Sequence, residues 1–399
     1  MNTIITEEVF MKDGNIEYRI LAVKRFFKGE KPSSICATLD RSKSWLYKWI
    51  YRYLNEGDNW SESRSRCPLR RPTQISFEIE EMVKMIRLNL YNHDLFCGAQ
   101  AIRWEMEDLN IKPLPSICTI NRILSRNSLT YHRTGKYQPK GKAYPKLPSL
   151  MTNQTHQADL VGPCYLKGPV RFYSLNAVDL ATARCGITPS LSKSGQSVID
   201  GFWAIWKRMG IPDNIQVDNE MSFYGSRKYP RGMGPLIRLC LHNDIEPWFI
   251  PVAEPWRNGV VEKFNDHYQQ RFLSKIKMLS EHDLITQSLA FEQRHNTKYR
   301  YSKLGGKTPL KALEASQKHL RFPDKEKAPN HPMKKPETGR YHIIRFIRGD
   351  MKLNIFGELF QVSPDLQYEY IVATIDVKEQ KMKLYLDNIQ VDEFAYQLR

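Results

Sequence analysis

Residues 255–272 force a turn and then a helix, and that helix constrains the rest of the chain. Pro255, Asn258 and Gly259 are turn formers. Behind them Val261, Phe264, Tyr268 and Phe272 recur at spacings of three, four and four, which is one apolar helix face. Lys263, His267 and Arg271 form a second, basic stripe. Glu262 lies between the stripes in the first turn, where the helix dipole favours a carboxylate whether or not it does chemistry. Two upstream aspartates change its meaning. Asp159 stands in His156-Gln157-Ala158-Asp159-Leu160-Val161-Gly162-Pro163, and Asp218 follows Ile215-Gln216-Val217 and precedes Asn219-Glu220. Both read as acids on or at the end of a strand, so two strands and a helix deliver three carboxylates.

The chain has 399 residues, with 60 Lys and Arg against 43 Asp and Glu and a net charge of +17. That length suits several domains, and that charge favours a polyanionic partner, most simply nucleic acid. No apolar run is long enough to span a bilayer, and the first residues lack the pattern of a signal peptide. No membrane partner is expected. The seven cysteines are odd in number and none stands in a Cys-x-x-Cys pair, which points to reduced thiols and away from a zinc site.

Before the acids, residues 1–58 read as a helix-turn-helix domain. Pro32-Ser33-Ser34 starts a short second helix and Arg41-Ser42-Lys43-Ser44 opens a third. Arg41, Ser42, Lys43, Ser44 and Lys48 cluster where a recognition helix makes its base contacts. Residues 59–75 form a basic linker with Arg64, Arg66, Arg70 and Arg71, suited to a minor groove or simply solvated. Residues 76–133 read as a second helical unit with Ser116 as an N-cap, one that resembles a second helix-turn-helix domain; Thr119, Arg122 and Arg126 form its expected DNA face. Residues 134–150 are a linker, 151–320 a core with a helical extension, and 321–339 a second linker. Residues 340–399 alternate Val, Ile, Tyr and Phe with polar residues, as in a small β-barrel. Lys263 and Arg271 of the basic stripe complete the expected DNA contacts.

The three acidic motifs in order resemble the catalytic core of the DDE transposases and retroviral integrases, in particular bacterial insertion-sequence transposases. The Asp159 strand followed by Gly-Pro, the Asp218-Asn219 pair and Asn258-Gly259-Val260-Val261-Glu262 carry the resemblance. It implies a multidomain chain: N-terminal all-α helix-turn-helix modules, an α/β ribonuclease-H-like core and a C-terminal small β-barrel. It also implies Asp159, Asp218 and Glu262 as both catalytic and metal-binding residues. Asp159 would bridge two Mg²⁺ (or Mn²⁺) ions, while Asp218 and Glu262 would each help hold one. Two such ions ~4 Å apart activate the nucleophile and stabilise the leaving oxygen in phosphodiester chemistry. The implied function is a transposase that binds transposon ends, frees a 3′ hydroxyl and joins it to target DNA, working as a homo-oligomer on DNA, in the cytoplasm at the nucleoid if bacterial. The alternatives are a catalytically silent, domesticated relative that regulates by binding DNA, and a plain nuclease.

Two departures from the family pattern stand out. Glu220 occupies the position after the Asp-Asn pair where many relatives have Gly; it reads as a fourth carboxylate that either tunes metal affinity or, the preferred reading, faces solvent. The Asp218–Glu262 spacing is longer than usual, through residues 224–235. That loop is rich in Gly and carries Arg227, Lys228 and Arg231; it reads equally as a DNA contact or an inert insertion. Glu254 comes closer to the usual spacing but precedes Pro255 and is biased away from helix.

Overall fold

Three short amphipathic helices build the first of two compact units, residues 1–74 and 75–399. The computed structural model describes residues 14–64, 75–130 and 143–399, apart from Arg227 and Pro230. In the first unit α1 (Gly14–Phe27), α2 (Pro32–Leu39) and α3 (Lys43–Asn55) close over Ala22, Val23, Ile35, Leu46, Trp49 and Ile50. Asp40 turns the chain between α2 and α3 in a left-handed conformation, φ 51°. Ser42 then caps α3, its Oγ accepting from Trp45 N at 3.2 Å. Residues 59–64, expected as linker, fold back onto the unit: Arg19 lies 4.1 Å over the Trp49 ring and donates to Ser61 O, and Arg52 donates to Glu62 O.

The second unit begins with α4 (Phe77–Asn92), α5 (Ala99–Asp108) and α6 (Ile117–Arg126), packed through Val83, Ile102, Met106, Ile120 and Ile123. The strands that follow are β1 (Thr155–Tyr165), β2 (Arg171–Asp179), β3 (Cys185–Ser190), β4 (Asn214–Val217) and β5 (Glu246–Phe249). They lie in the order β3-β2-β1-β4-β5, the first three antiparallel and β4 and β5 parallel to β1. Both faces are covered. α7 (Gly195–Met209) and α9 (Pro235–Leu241) bury Phe202, Trp206 and Leu236 against Leu175, Ala177, Ile215 and Val217. α10 (Gly259–Tyr268) and α11 (Glu281–Lys298) bury Phe264, Tyr268 and Phe291 against Phe172, Val178, Cys185 and Ile187 on the other side. Such two-sided burial is why these strands read as apolar runs. Between β4 and α9 lies one short helix, α8 (Met221–Tyr224), and after α11 comes α12 (Pro309–Ser316).

The α4–α6 unit is fastened to the region after α10. Arg271 donates to Asp94 O and Leu95 O at 2.8 and 3.0 Å, Tyr299 OH to Asp94 O at 2.6 Å, and Arg300 to Asp108 Oδ2 at 2.6 Å. Gly306, at φ +84°, lies against the Trp104 ring where a Cβ would sit 2.6 Å from it, so no larger residue fits.

The C-terminal segment departs from the expected separate barrel. β6 (Arg340–Phe346) pairs parallel with β5, and β9 (Tyr370–Asp376), β10 (Lys381–Leu386) and β11 (Ile389–Ala395) extend the same sheet to nine strands. β7 (Lys352–Ile355) and β8 (Glu358–Gln361) form a separate hairpin. No pairing among the described residues closes β11 back onto β6. Five successive residues of β6 are buried, so both its faces are covered, and β5 and β9 pair with its two edges. A strand pattern shows that a strand forms; it does not show which distant edge it joins. Residues 321–339 likewise lack regular structure yet lie pinned along α7 and α9. Trp203 Nε1 donates to Lys325 O, His331 N to Gln196 Oε1, and Arg238 to Met333 O.

Candidate active site

The strand order sets Asp159 and Asp218 side by side. Asp159 sits on β1, the strand between β2 and β4, opposite Asn176. β4 ends at Val217, so Asp218 leaves the sheet at its carboxyl end. Glu262 is in the first turn of α10.

A frame of side-chain amides ties that helix to both strands. Gln157 stands two residues before Asp159 on β1, hence on the same strand face as it, and its register partner on β4 is Gln216, two residues before Asp218. Both donate to the Arg257 carbonyl, at 3.4 and 2.8 Å. Gln157 Oε1 also accepts from Val260 N and Val261 N at 3.0 and 3.2 Å. It thereby satisfies two of the N–H groups that a helix start leaves without intrahelical partners. Buried Asn258 donates to Ala158 O at 2.9 Å. Asn265, on the same helix face as Glu262, donates to Asp159 Oδ2 and accepts from Asn176, both at 2.8 Å. The helix is therefore registered against the residues on either side of Asp159.

The three carboxylates repel one another. Burial pushes Asp218 up to about 6, with the charge of Asp159 next in effect and Glu220 and Glu262 adding to it, while the Glu220 N–H works the other way. Asp159 is raised by burial, against hydrogen bonds from Leu160 N and Asn265 that favour its ionised form. Glu262 is raised by burial and then by Asp159 and Asp266. No ion pair reaches any of the three among the described residues. Nor, among those residues, are any three His, Cys, Asp or Glu side chains drawn together tightly enough to enclose an ion as they stand. In donor chemistry the set nonetheless suits a hard divalent cation: oxygens only, and a mutual repulsion that a cation would relieve.

Glu220 does not simply face solvent. Its Oε1 accepts from Lys193 Nζ at 3.1 Å and from Ser222 at 3.3 Å, and its charge reaches both Asp159 and Asp218. It is a fourth, partly compensated acid at the rim. Glu254 stands before the helix in a non-helical conformation and pairs with Arg257 and Tyr370 instead.

The basic residues divide by engagement. Arg41, Ser42, Lys43, Ser44 and Lys48 are all exposed at the start of α3, with Arg41 5.9 Å from the Trp45 ring and Lys48 5.5 Å from Trp49. Arg64 is exposed and pairs with Glu56 at 2.7 Å; Arg66, Arg70 and Arg71 lie outside the described residues. On α6, Arg122 is exposed, Thr119 Oγ1 shares a hydrogen bond with the Ser116 cap, and Arg126 is held in a two-point pair by Glu80. Lys263 is exposed. Arg271 is not a free cation of a basic stripe, because Asp94 and Leu95 take its donors and Phe96 lies 5.8 Å away. His267 packs on Phe96 and is pushed down to about 4 by burial and then by Arg271. The helical pattern located that face correctly, but another part of the chain covers it. In the 224–235 loop, Arg231 makes a two-point pair with Glu358 and lies 5.0 Å over the Tyr396 ring.

Sequence reasoning missed the amide frame: Gln157, Gln216, Asn265, and Asn258 as a holder of β1. The signal was there. A glutamine two residues before each aspartate, inside an otherwise apolar run, is a buried polar group that must find a partner.

No family model matches the chain. Among solved structures, two forms of the HTLV-2 integrase catalytic core domain in complex with magnesium share 18% and 17% identity with it. Each covers 41% of this chain, and 97% and 99% of its own length, at a TM-score of 0.32. A simian T-cell lymphotropic virus intasome in complex with PP2A regulatory subunit B56 gamma shares 15% identity and covers 78% of this chain and 96% of its own, at 0.36.

Proposed function

We propose that this chain is a DNA transposase of the integrase type, with a ribonuclease-H-like core spanning residues 151–320 and Asp159, Asp218 and Glu262 as its catalytic acids. One observation carries the proposal: three mutually repelling carboxylates, delivered by two adjacent parallel strands and a helix start registered by amides, meet no counter-cation among the described residues. In this reading the three carboxylates hold divalent Mg²⁺ or Mn²⁺, two ions by analogy with the family. Bound there, the metal supplies Lewis-acid activation of water or a 3′ hydroxyl and charge stabilisation on the leaving oxygen. The protein's own work is positional. Asn265 orients Asp159, the Glu220 N–H orients Asp218, and the Gln157–Gln216 clamp fixes the helix that brings Glu262. The exposed basic start of α3 reads DNA, with Arg122 and Lys263 as further contacts. Because transposition joins two ends, the working form on DNA is at least a dimer.

The experiment is strand transfer by the purified chain with Mg²⁺ or Mn²⁺ on labelled DNA carrying the ends that flank its gene, with Asp218→Asn alongside. Joined products from wild type alone are expected. Specific binding without cleavage in either metal would instead favour the regulator.

A further inference from the structure

The C-terminal strands reach the acid site by two separate routes. The first is Arg345 on β6, which is buried. Its Nη1 donates to Ile250 O at 3.0 Å and its Nε to Asn354 O at 3.0 Å, while its Nη2 donates to Asn219 Oδ1 at 2.9 Å. The Asn219 amide donates in turn to Ile250 O at 2.6 Å. The residue after Asp218 is thus gripped at both ends of its side chain. A buried guanidinium is costly unless its donors are met, and this one meets them partly at the loop that carries an acid.

The second route is Arg257, in the turn before α10. Its guanidinium lies 3.9 Å over the Tyr144 ring and 5.0 Å over the Tyr370 ring. It donates to Glu254 at 2.9 Å and to Tyr370 OH at 3.0 Å, and that hydroxyl donates to Glu254 Oε1 at 2.8 Å. The carbonyl of this same residue is the one clamped by Gln157 and Gln216. Its side chain therefore touches β9 and the segment leading in from the α4–α6 unit, while its backbone touches both aspartate strands.

We propose that β6 and β9 form a positioning element of the acid site: Arg345 sets Asn219 and so Asp218, and Arg257, held by Tyr370, sets the turn that starts the Glu262 helix. This rests on the functional reading above for its consequence in rate, though not for the mechanical coupling. A C-terminal segment that served only to grip DNA or a second subunit would leave the alignment of the acids untouched. A positioning element alters the rate at saturating DNA while leaving DNA affinity alone.

The test uses the full chain with Tyr370→Phe, which keeps the ring on Arg257 and removes only the hydroxyl, and Arg345→Lys, which keeps the charge but not the forked donors. Amide hydrogen exchange is followed at 257–262 and at 218–220, with α11 as the internal control, alongside strand transfer and DNA binding. Tyr370→Phe is expected to speed exchange at 257–262 by about tenfold, and Arg345→Lys to do so at 218–220, with α11 unchanged. Strand transfer at saturating DNA should fall by about tenfold in each, with DNA affinity within about twofold. Exchange within twofold of wild type at both stretches overturns the proposal, and so does faster exchange with an unaltered rate. If wild type itself joins no DNA, the transposase reading fails and exchange alone decides the coupling.

Discussion

Two groups of acids in the same unit are treated in opposite ways. Glu292 on α11 is buried and fully partnered: Arg208 of α7 meets it at 2.8 and 2.9 Å, and Ile187 N donates to it at 2.7 Å. Arg208 also donates to Ile187 O at 2.8 Å, so this pair closes the exposed edge of β3, where unpaired strand groups are otherwise a liability. Asp159 receives Leu160 N and the Asn265 amide, and Asp218 receives Glu220 N, while none of Asp159, Asp218 and Glu262 meets an arginine or lysine among the described residues. One acid is a structural clip. The other three repel one another, which costs stability and makes sense if a cation completes them.

The largest expected effect separates the two groups by activity. Asp218→Asn or Glu262→Gln should lower strand transfer by about a thousandfold or more, with DNA binding nearly unaltered, as judged by rate assay and gel shift. Normal strand transfer in either variant removes that residue from the site. Next comes stability. Arg208→Met leaves Glu292 buried and unpaired, and should cost about 3 kcal/mol in urea unfolding, much of it regained in Arg208→Met/Glu292→Met. Removing a charge from the other group should do the reverse. Metal-free Asp218→Asn should be more stable than wild type at pH 7 by on the order of 1–2 kcal/mol. Mn²⁺ should raise the unfolding temperature of wild type and not of this variant.

The smallest effect is a slope with pH. Burial pushes His156 and His295 down to about 4. Their contribution is present above the unfolded value near 6.5 and is lost as pH falls toward 4, at about 1.4 kcal/mol per pH unit for each. Asp218 opposes this. Its folded value of about 6 lies above the unfolded one, so its stabilising contribution is present at low pH and lost as pH rises through 6. Metal-free Asp218→Asn should therefore lose stability more steeply than wild type between pH 6 and 4. Parallel slopes in denaturant titrations would show that Asp218 is not raised.

Local structure was largely legible. Ser116 caps α6 as expected, Asp159 lies on β1, and Asp218 stands just past the end of β4. The spacing of Val261, Phe264, Tyr268 and Phe272 gave a helix face that is buried throughout. The opposite face misled. Lys263, His267 and Arg271 share a stripe, yet Arg271 and His267 are covered by residues 94–96, as much as 177 positions away in sequence.

The sequence by itself determined the helices, the strands and the three acids, because periodicity, caps and turn residues act between neighbours a few positions apart. Only the tertiary structure decided what lies beside them. It set Gln157 and Gln216 on one carbonyl, joined β6 to β5, and brought Arg345 and Tyr370 to the turns that carry Asp218 and Glu262. Those choices depend on which buried polar group meets which partner across a hundred residues of chain, and no local pattern encodes that distance.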